Sequence, residues 1–302
     1  MELEMKRNFL FFVLLVLHQS CFYHDKHQIG DLQYDIIIDK KGKNIEYYDF
    51  VSLSYETRTE TGELLNSSYG FDPRPLELYR VHPYFKGDLH TALGFLSPGD
   101  SAQLKINADS LHKYYGFPEY KKEPYIVYNI KVNEVISRGN LSDSMLNAKV
   151  EDFKRQQIDN ARKHEYNKIR RYIDVNGLKP DSTLSGIYYT ITKKGFGKKP
   201  KIGDEIYANY IISDLNGKII QTNQKEIAMS TETYNKAFKY EPHKEIIVEN
   251  PDSGFSEGVS MFPIGTKVKL IIPSKLAYKE QGDRIVRPYT PLICDLEIIK
   301  KM

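Results

Sequence analysis

The sequence predicts an α+β chain: two strand-rich domains joined by a long helix. Three observations predict it. The composition favours sheet, one strand–helix–strand pattern occurs twice, and the stretch between its copies is polar and built of helix formers. Tyrosine is heavily used, at 23 residues, tryptophan is absent and prolines number 14; with many β-branched residues this points to sheet-rich domains. A length of 302 residues suffices for two domains that each bury a core. The net charge of +3 comes from 43 basic and 40 acidic residues, interleaved without a basic stripe, so nucleic acid is not an expected partner.

The chain opens on a targeting pattern. Lys6-Arg7 precedes the apolar run Phe9 to Leu17, then His18-Gln19-Ser20 and Cys21. That run is shorter than the roughly 20 apolar residues a spanning helix needs, so it predicts an export signal, with Met5 a suitable initiator. Ser20 before Cys21 resembles the cleavage site of bacterial lipoproteins, although His18 and Gln19 depart from the usual small or aliphatic residues. The expectation is a signal peptide over 1–21 with Cys21 lipidated, then a tether and first strand over 22–44. Plain secretion with a free Cys21 is the alternative. His24, Asp25 and His27 suggest either a metal site or, as expected here, part of a solvated tether. The second cysteine, Cys294, lies in the apolar strand Leu292-Ile293-Cys294; pairing it with Cys21 would tie a terminal segment to a core strand, so no disulfide is expected. Lipid would supply the membrane contact, and the expected compartment is the cell envelope, periplasmic or surface.

The repeat sets the domain boundaries. "DLHTALGFLSPGDSAQLKINADSLH" from Asp88 aligns with "GFSEGVSMFPIGTKVKLIIPSKLAY" from Gly254, with Gly99 over Gly265. In each, a short amphipathic helix leads through a glycine turn into an alternating strand. Upstream, "YETRTETGELLNSSY" from Tyr55 matches "YIISDLNGKIIQTNQ" from Tyr210 as strand, turn glycine, strand; the closing strands are "YIVYNIKVNEV" from Tyr125 and "TPLICDLEII" from Thr290. Domains are therefore expected over 45–137 and 181–302. Between them, Ser142 to Val175 reads as one helix stopped by Asn176-Gly177, about 50 Å long at 1.5 Å per residue. Its sparse apolar stripe predicts a spacer within a linker over 138–180, packed along only part of its length.

No conventional catalytic motif is present. "GFGKKPKIGD" from Gly195 precedes a strand and not a helix N-terminus, so a phosphate cradle is not expected. Neither metal nor cofactor is expected. The strand Lys267 to Ile272 stops at Pro273, which cannot donate to a sheet ladder, and this places Tyr278 on a short turn beyond the strand end. By itself Tyr278, like Tyr210, reads equally well as a core tyrosine with a wet hydroxyl.

The order "SGIYYTITKKGFGKKPKIGDEIYANY", "LNGKII", "GFSEGVSMFPIGTKVKLIIPSKLAY", "PLICDLEII" resembles the FKBP-type peptidyl-prolyl cis-trans isomerases over Ser185 to Ile299, while about Ile45 to Val135 is similar in outline. The resemblance implies two FKBP-like domains, each a twisted antiparallel sheet wrapped around a short helix with an apolar pocket between. It implies pocket tyrosines at Tyr210 and Tyr278 and an apolar floor at Phe255, where the family usually has tryptophan. The remaining pocket positions are Ile285, Ile220 and Gln221 in place of a Phe-Asp pair, and Cys294 in place of a wall phenylalanine. Pro251-Asp252 replaces an aliphatic pair, Arg287 a proline, and "STETYNKAFKYEPH" from Ser230 has no counterpart. In the first copy Asn66-Ser67-Ser68, Tyr128 and Tyr55 keep family features, Leu89 replaces the floor aromatic, and either Tyr114 or Tyr115 falls at the rim; that copy is expected to bind or space and not to catalyse. The implied activity is cis-trans isomerisation of X-Pro bonds in unfolded or exported polypeptides. The alternatives are a catalytically degenerate chaperone or binding lipoprotein of an envelope machine for gliding or secretion, and a surface lipoprotein capturing ligands.

Overall fold

The structure, a computed structural model, describes residues 27–120, 123–231 and 233–299. The expected export signal, Cys21, His24 and Asp25 lie outside the described residues. Two compact units divide the chain: Met1–Asn66 with Glu77–Ser137, and Ser67–Leu76 with Arg138–Met302. Among the described residues no helix is long and apolar enough to cross a membrane.

The first unit contains β1 (His27–Ile29), β2 (Leu32–Ile38), β3 (Phe50–Thr59), β4 (Leu64–Ser67), β5 (Leu76–Tyr79), helix α1 (Leu89–Leu93), β6 (Ser101–Asn107), α2 (Ala108–Tyr115) and β7 (Tyr125–Ile136). Its sheet has the order β1-β2-β6-β7-β3-β4, with β5 paired to β3. Strands β1 and β2 fall within 22–44, the stretch read as a tether and first strand. Leu32 is fully buried, Tyr34 and Ile36 pack on the core, and His27 stacks on Tyr34 at 5.1 Å. The alternation Leu32, Tyr34, Ile36 is what lets this segment lie on the sheet as a strand.

The second unit contains α3 (Asp143–Val175), β8 (Asp181–Ser182), β9 (Tyr188–Lys193), β10 (Glu205–Asp214), β11 (Ile219–Thr222), α4 (Lys225–Ser230), β12 (His243–Ile246), α5 (Gly254–Met261), β13 (Lys267–Ile272), a 3-10 turn at Ser274–Leu276 and β14 (Leu292–Ile299). Its sheet runs β8-β9-β13-β14-β10-β11, with β12 on β10. Strand for strand this is the topology of the first unit, and the paired turn glycines adopt nearly the same backbone, Gly99 at φ 88° and Gly265 at φ 90°.

Strand β13 shows how the core forms. Val268, Leu270 and Ile272 point inward into one cluster with Val259, Leu292, Cys294 and Leu296, while Lys267 and Lys269 face outward to Glu297 and Asp295. Helix α5 can settle onto the strand because Gly258 has no side chain: a Cβ there would stand 2.3 Å from a Leu270 methyl. Ser253 caps the helix by accepting from Ser256 N–H, satisfying one otherwise orphaned donor. Gly195 serves packing in the same way, since its Cβ would stand 2.4 Å from Thr266 N.

Helix α3 packs along its C-terminal half. Ser142 caps it and Gly177, at φ 60°, ends it, and Ile169 and Ile173 join Leu215, Ile271 and Ile293 in a separate buried cluster. Successive strand residues face opposite sides of a sheet, so Ile271 and Ile293 present a second apolar face that the C-terminal half of the helix covers.

Candidate functional site

A cleft of about 870 Å³ lies against β10, β11, β12 and the first turn of α5, lined by Tyr210, Gln221, Asn223, Phe238, His243 and Phe255 among others. Tyr210 follows Ile206 and Ala208 on the inward face of β10, all three buried. Phe255 meets Tyr210 edge-on at 5.3 Å and 77°, and meets His243 edge-on at 5.3 Å and 80°. Three rings thus form one apolar corner, in the geometry that aromatic quadrupoles favour.

Side-chain amides hold this corner in place. Gln221 Nε2 donates to the Tyr210 hydroxyl oxygen at 2.9 Å, which leaves the hydroxyl hydrogen free to be donated elsewhere. Buried Asn223 accepts from Tyr210 N–H at 2.9 Å and donates to Ala208 O and Glu241 O at 2.9 and 3.1 Å. That residue fastens the segment leading into β12 against β10, and so sets where His243 stands.

Burial pushes the Tyr210 phenol above its ordinary range; neighbouring Cys294 and Tyr278 add to the shift and the Gln221 hydrogen bond opposes it. Tyr278 is raised as well, by burial first and by Asp283 second. Both hydroxyls stay protonated donors across physiological pH. A tyrosine whose folded-state pKa lies above its unfolded value stabilises fully below about pH 10 and loses that contribution as pH rises further. Conformational stability is therefore expected to hold with respect to these groups up to about pH 10 and to fall above it. Phenolate absorbance near 295 nm, followed together with circular dichroism, checks this: phenolate forming at residues 210 and 278 near the ordinary tyrosine pKa in a still-folded chain would contradict it.

The structure distributes the expected site residues unevenly. Tyr210, Gln221 and Phe255 line the cleft. Tyr278 is half-buried and packs on the same core cluster, as do Ile220, Ala277 and Leu276, but it is not among the cleft-lining side chains. Ile285 is 52% exposed and its N–H donates to Asp283. Cys294 is fully buried, opposite Leu270 and Ile212 in the sheet; it lies beneath the cleft and not on its wall, and burial pushes its thiol far up. Residues the sequence reading missed are His243, Asn223 and Phe238. The signal available for Phe238 and His243 was the aromatic-rich insertion Ser230 to His243, which runs into the short alternation His243-Lys244-Glu245-Ile246.

In the first unit the two candidate rim tyrosines have different surroundings. Tyr115 packs on the core and donates its hydroxyl to buried Asp88 at 2.8 Å, while Tyr114 is 45% exposed and stacks on Phe85. Among the described residues no group of three or more His, Cys, Asp and Glu is placed to hold a metal ion.

An antiparallel sheet packed on one short helix thus leaves an aromatic corner open between them. Residues 197–299 match the family described as FKBP-type peptidyl-prolyl cis-trans isomerase. The chain is 27% identical over 154 residues to the FKBP-type peptidyl-prolyl cis-trans isomerase FkpA of Aeromonas hydrophila, covering 50% of this chain and 52% of that protein. It is 31% identical over 121 residues to the probable FkpA of Neisseria meningitidis, covering 39% of each. The crystal structure of FkpA from Escherichia coli is 21% identical, covers 53% of this chain and 73% of that one, and gives a TM-score of 0.39. The chain spans about half the length or less of these curated relatives.

Proposed function

We propose that the second unit catalyses cis-trans isomerisation of X-Pro bonds in unfolded or exported polypeptides, with Tyr210, Tyr278 and Phe255 as the residues that meet the substrate. The observation that carries this reading is the aromatic corner of Phe255, Tyr210 and His243, the kind of seat a proline ring would take. Rotation about the peptide bond costs about 18–20 kcal/mol because resonance is lost, and X-Pro bonds alone populate both isomers appreciably. The twisted amide is less polar than the planar one. An apolar, water-poor cleft therefore binds the twisted state relatively better, and hydroxyl donors hold the flanking carbonyls. No nucleophile enters this reaction. Tyr210, its oxygen already satisfied by Gln221, has its hydrogen to give, and Tyr278 supplies a second donor from the turn beyond β13.

The first unit is assigned a binding or spacing role, because the Tyr115 hydroxyl is committed to Asp88. The envelope is the proposed location and a lipid on Cys21 the proposed anchor; both readings rest on Lys6-Arg7, the run Phe9 to Leu17 and Cys21 in the sequence.

The test is an isomerisation assay of the full chain on a prolyl test peptide. Acceleration over the spontaneous rate is expected, and Tyr278→Phe is expected to lower kcat/KM by roughly fivefold, the equivalent of about 1 kcal/mol for one hydrogen bond. An unchanged spontaneous rate, with unfolded chains still bound, would make the domain a non-catalytic binding module.

A further inference from the structure

We propose that Glu165, on helix α3, is a positioning residue that fixes the turn carrying Tyr278. Its catalytic consequence rests on the isomerase reading; the anchoring itself rests on geometry.

Strand β13 ends where Pro273 removes a ladder donor, and the residue after it is left with two donors and no strand to meet. Both go to one carboxylate: Ser274 N–H donates to Glu165 Oε1 at 2.6 Å and Ser274 Oγ donates to Glu165 Oε2 at 2.8 Å. Ser274 is 2% exposed, so water is a poor substitute for that carboxylate. Bonds to a charged acceptor are the stronger kind, and the acceptor stands on a helix pinned by Ile169 and Ile173 in a buried cluster. A site residue is held best by a rigid element whose own packing is complete.

From Ser274 the constraint passes along the turn. Its carbonyl accepts from Ala277 N–H at 2.9 Å and from Lys279 N–H at 2.8 Å, bracketing Tyr278 on both sides. The Tyr278 carbonyl then accepts from Gly282 N–H, and the Lys279 carbonyl from Tyr289 N–H. Lys279 and Tyr289 sit at φ 55° and 54°, a left-handed backbone that non-glycine residues keep only where the surroundings over-determine it. Gly282, at φ 60°, admits no side chain, since its Cβ would stand 2.3 Å from Val286 O. A loop this constrained needs a fixed end, and Glu165 supplies it from outside the loop.

The experiment uses the full-length chain with Glu165→Ala, Glu165→Gln, Tyr278→Phe and the double variant Glu165→Ala/Tyr278→Phe, each assayed for kcat and KM on a prolyl peptide. Glu165→Ala is expected to lower kcat/KM about tenfold, because a small misplacement of a reacting group is costly. Glu165→Gln is expected to stay within about threefold of wild type, since its amide can still accept from Ser274 N–H and donate to Ser274 Oγ. In the Tyr278→Phe background the alanine change is expected to cost less than about twofold, the non-additivity of residues acting through one another. Equal losses in both backgrounds would overturn the proposal, as would a Glu165→Ala enzyme indistinguishable from wild type. Amide NMR shifts at Tyr278 and Ile285 separate this from the isomerase reading. If the wild-type chain proves inactive, that reading fails, and the anchoring stands or falls on whether Glu165→Ala displaces these resonances.

Discussion

Phe255→Ala is expected to lower kcat/KM close to a hundredfold while leaving a folded protein. Phe255 is the ring on which two other rings of the cleft lean, Tyr210 and His243 each 5.3 Å away and edge-on. A proline ring resting on it would hide about 60 Å² of apolar surface, worth about 1.5 kcal/mol at 25 cal/mol per Å². Each edge-on aromatic pair contributes roughly 0.5–1.5 kcal/mol beyond area, and its loss frees Tyr210 and His243 to leave the orientation the cleft requires. Together these terms come to about 2.5 kcal/mol, and each 1.36 kcal/mol is tenfold in rate. The fold should survive because Phe255 is only half-buried and packs at the edge of a core whose centre is Leu270, Val259 and Cys294. Phe255→Trp keeps a floor and is expected to remain within about threefold of wild type; the sequence has no other tryptophan, so the variant also reports peptide binding by fluorescence. A Phe255→Ala enzyme within twofold of wild type, at equal folded fraction, would show that the proline ring does not rest there.

The parts of this architecture legible in the sequence are those written in local pattern. The turn glycines Gly99 and Gly265 both need a left-handed backbone, which is why they keep register between two otherwise different copies. Pro273 ends β13 and Ser142 and Gly177 bound helix α3, each by a property of one residue. What stayed hidden depends on contacts distant in sequence. His243 reaches the cleft because β12 pairs with β10, Ala208 opposite His243, across an insertion that has no period of its own. Ser67–Leu76 lies in sequence between two strands of the first unit yet packs with the second, and nothing in its composition announces that. Glu165 looks like any charged residue on a polar helix until Ser274 is brought to it. Cys294 is the converse case: its place in the alternation marks it as inward, but only the depth of the sheet beneath Tyr210 shows that inward here means core and not cleft.

Lys168→Met is expected to destabilise the second unit by about 3 kcal/mol, at the low end of the roughly 3–5 kcal/mol seen when one partner of a buried ion pair is removed. Lys168 pairs with Asp72, and the two side chains are only 16% and 8% exposed. The carboxylate cannot escape to water by moving its backbone. Asn216 accepts from Phe71 N–H at 2.7 Å and from Asp72 N–H at 3.3 Å, and donates to Asp72 O at 3.0 Å. Phe71 also packs edge-on to Tyr172 at 5.3 Å. Two residues on, Arg74 reaches buried Asp214 at 2.9 Å. For a unit of this size about 2–4 °C in Tm accompanies each kcal/mol, so a fall of roughly 6–12 °C is expected by thermal unfolding, with a matching shift of the urea midpoint. Adding Asp72→Asn should restore more than half of the loss, because the cost comes from the unpaired charge and not from a missing attraction. A loss below about 1 kcal/mol would mean that Ser67–Leu76 opens readily to hydrate Asp72, and limited proteolysis within that segment would reveal it. The same segment braces the loop that follows the Tyr278 turn, since Arg287 donates to Pro73 O at 3.2 Å, next in sequence to fully buried Val286. Lys168→Met should therefore raise KM for a prolyl peptide by about twofold with kcat nearly unchanged, the pattern of lost uniform binding, whereas Phe255→Ala should lower kcat as well.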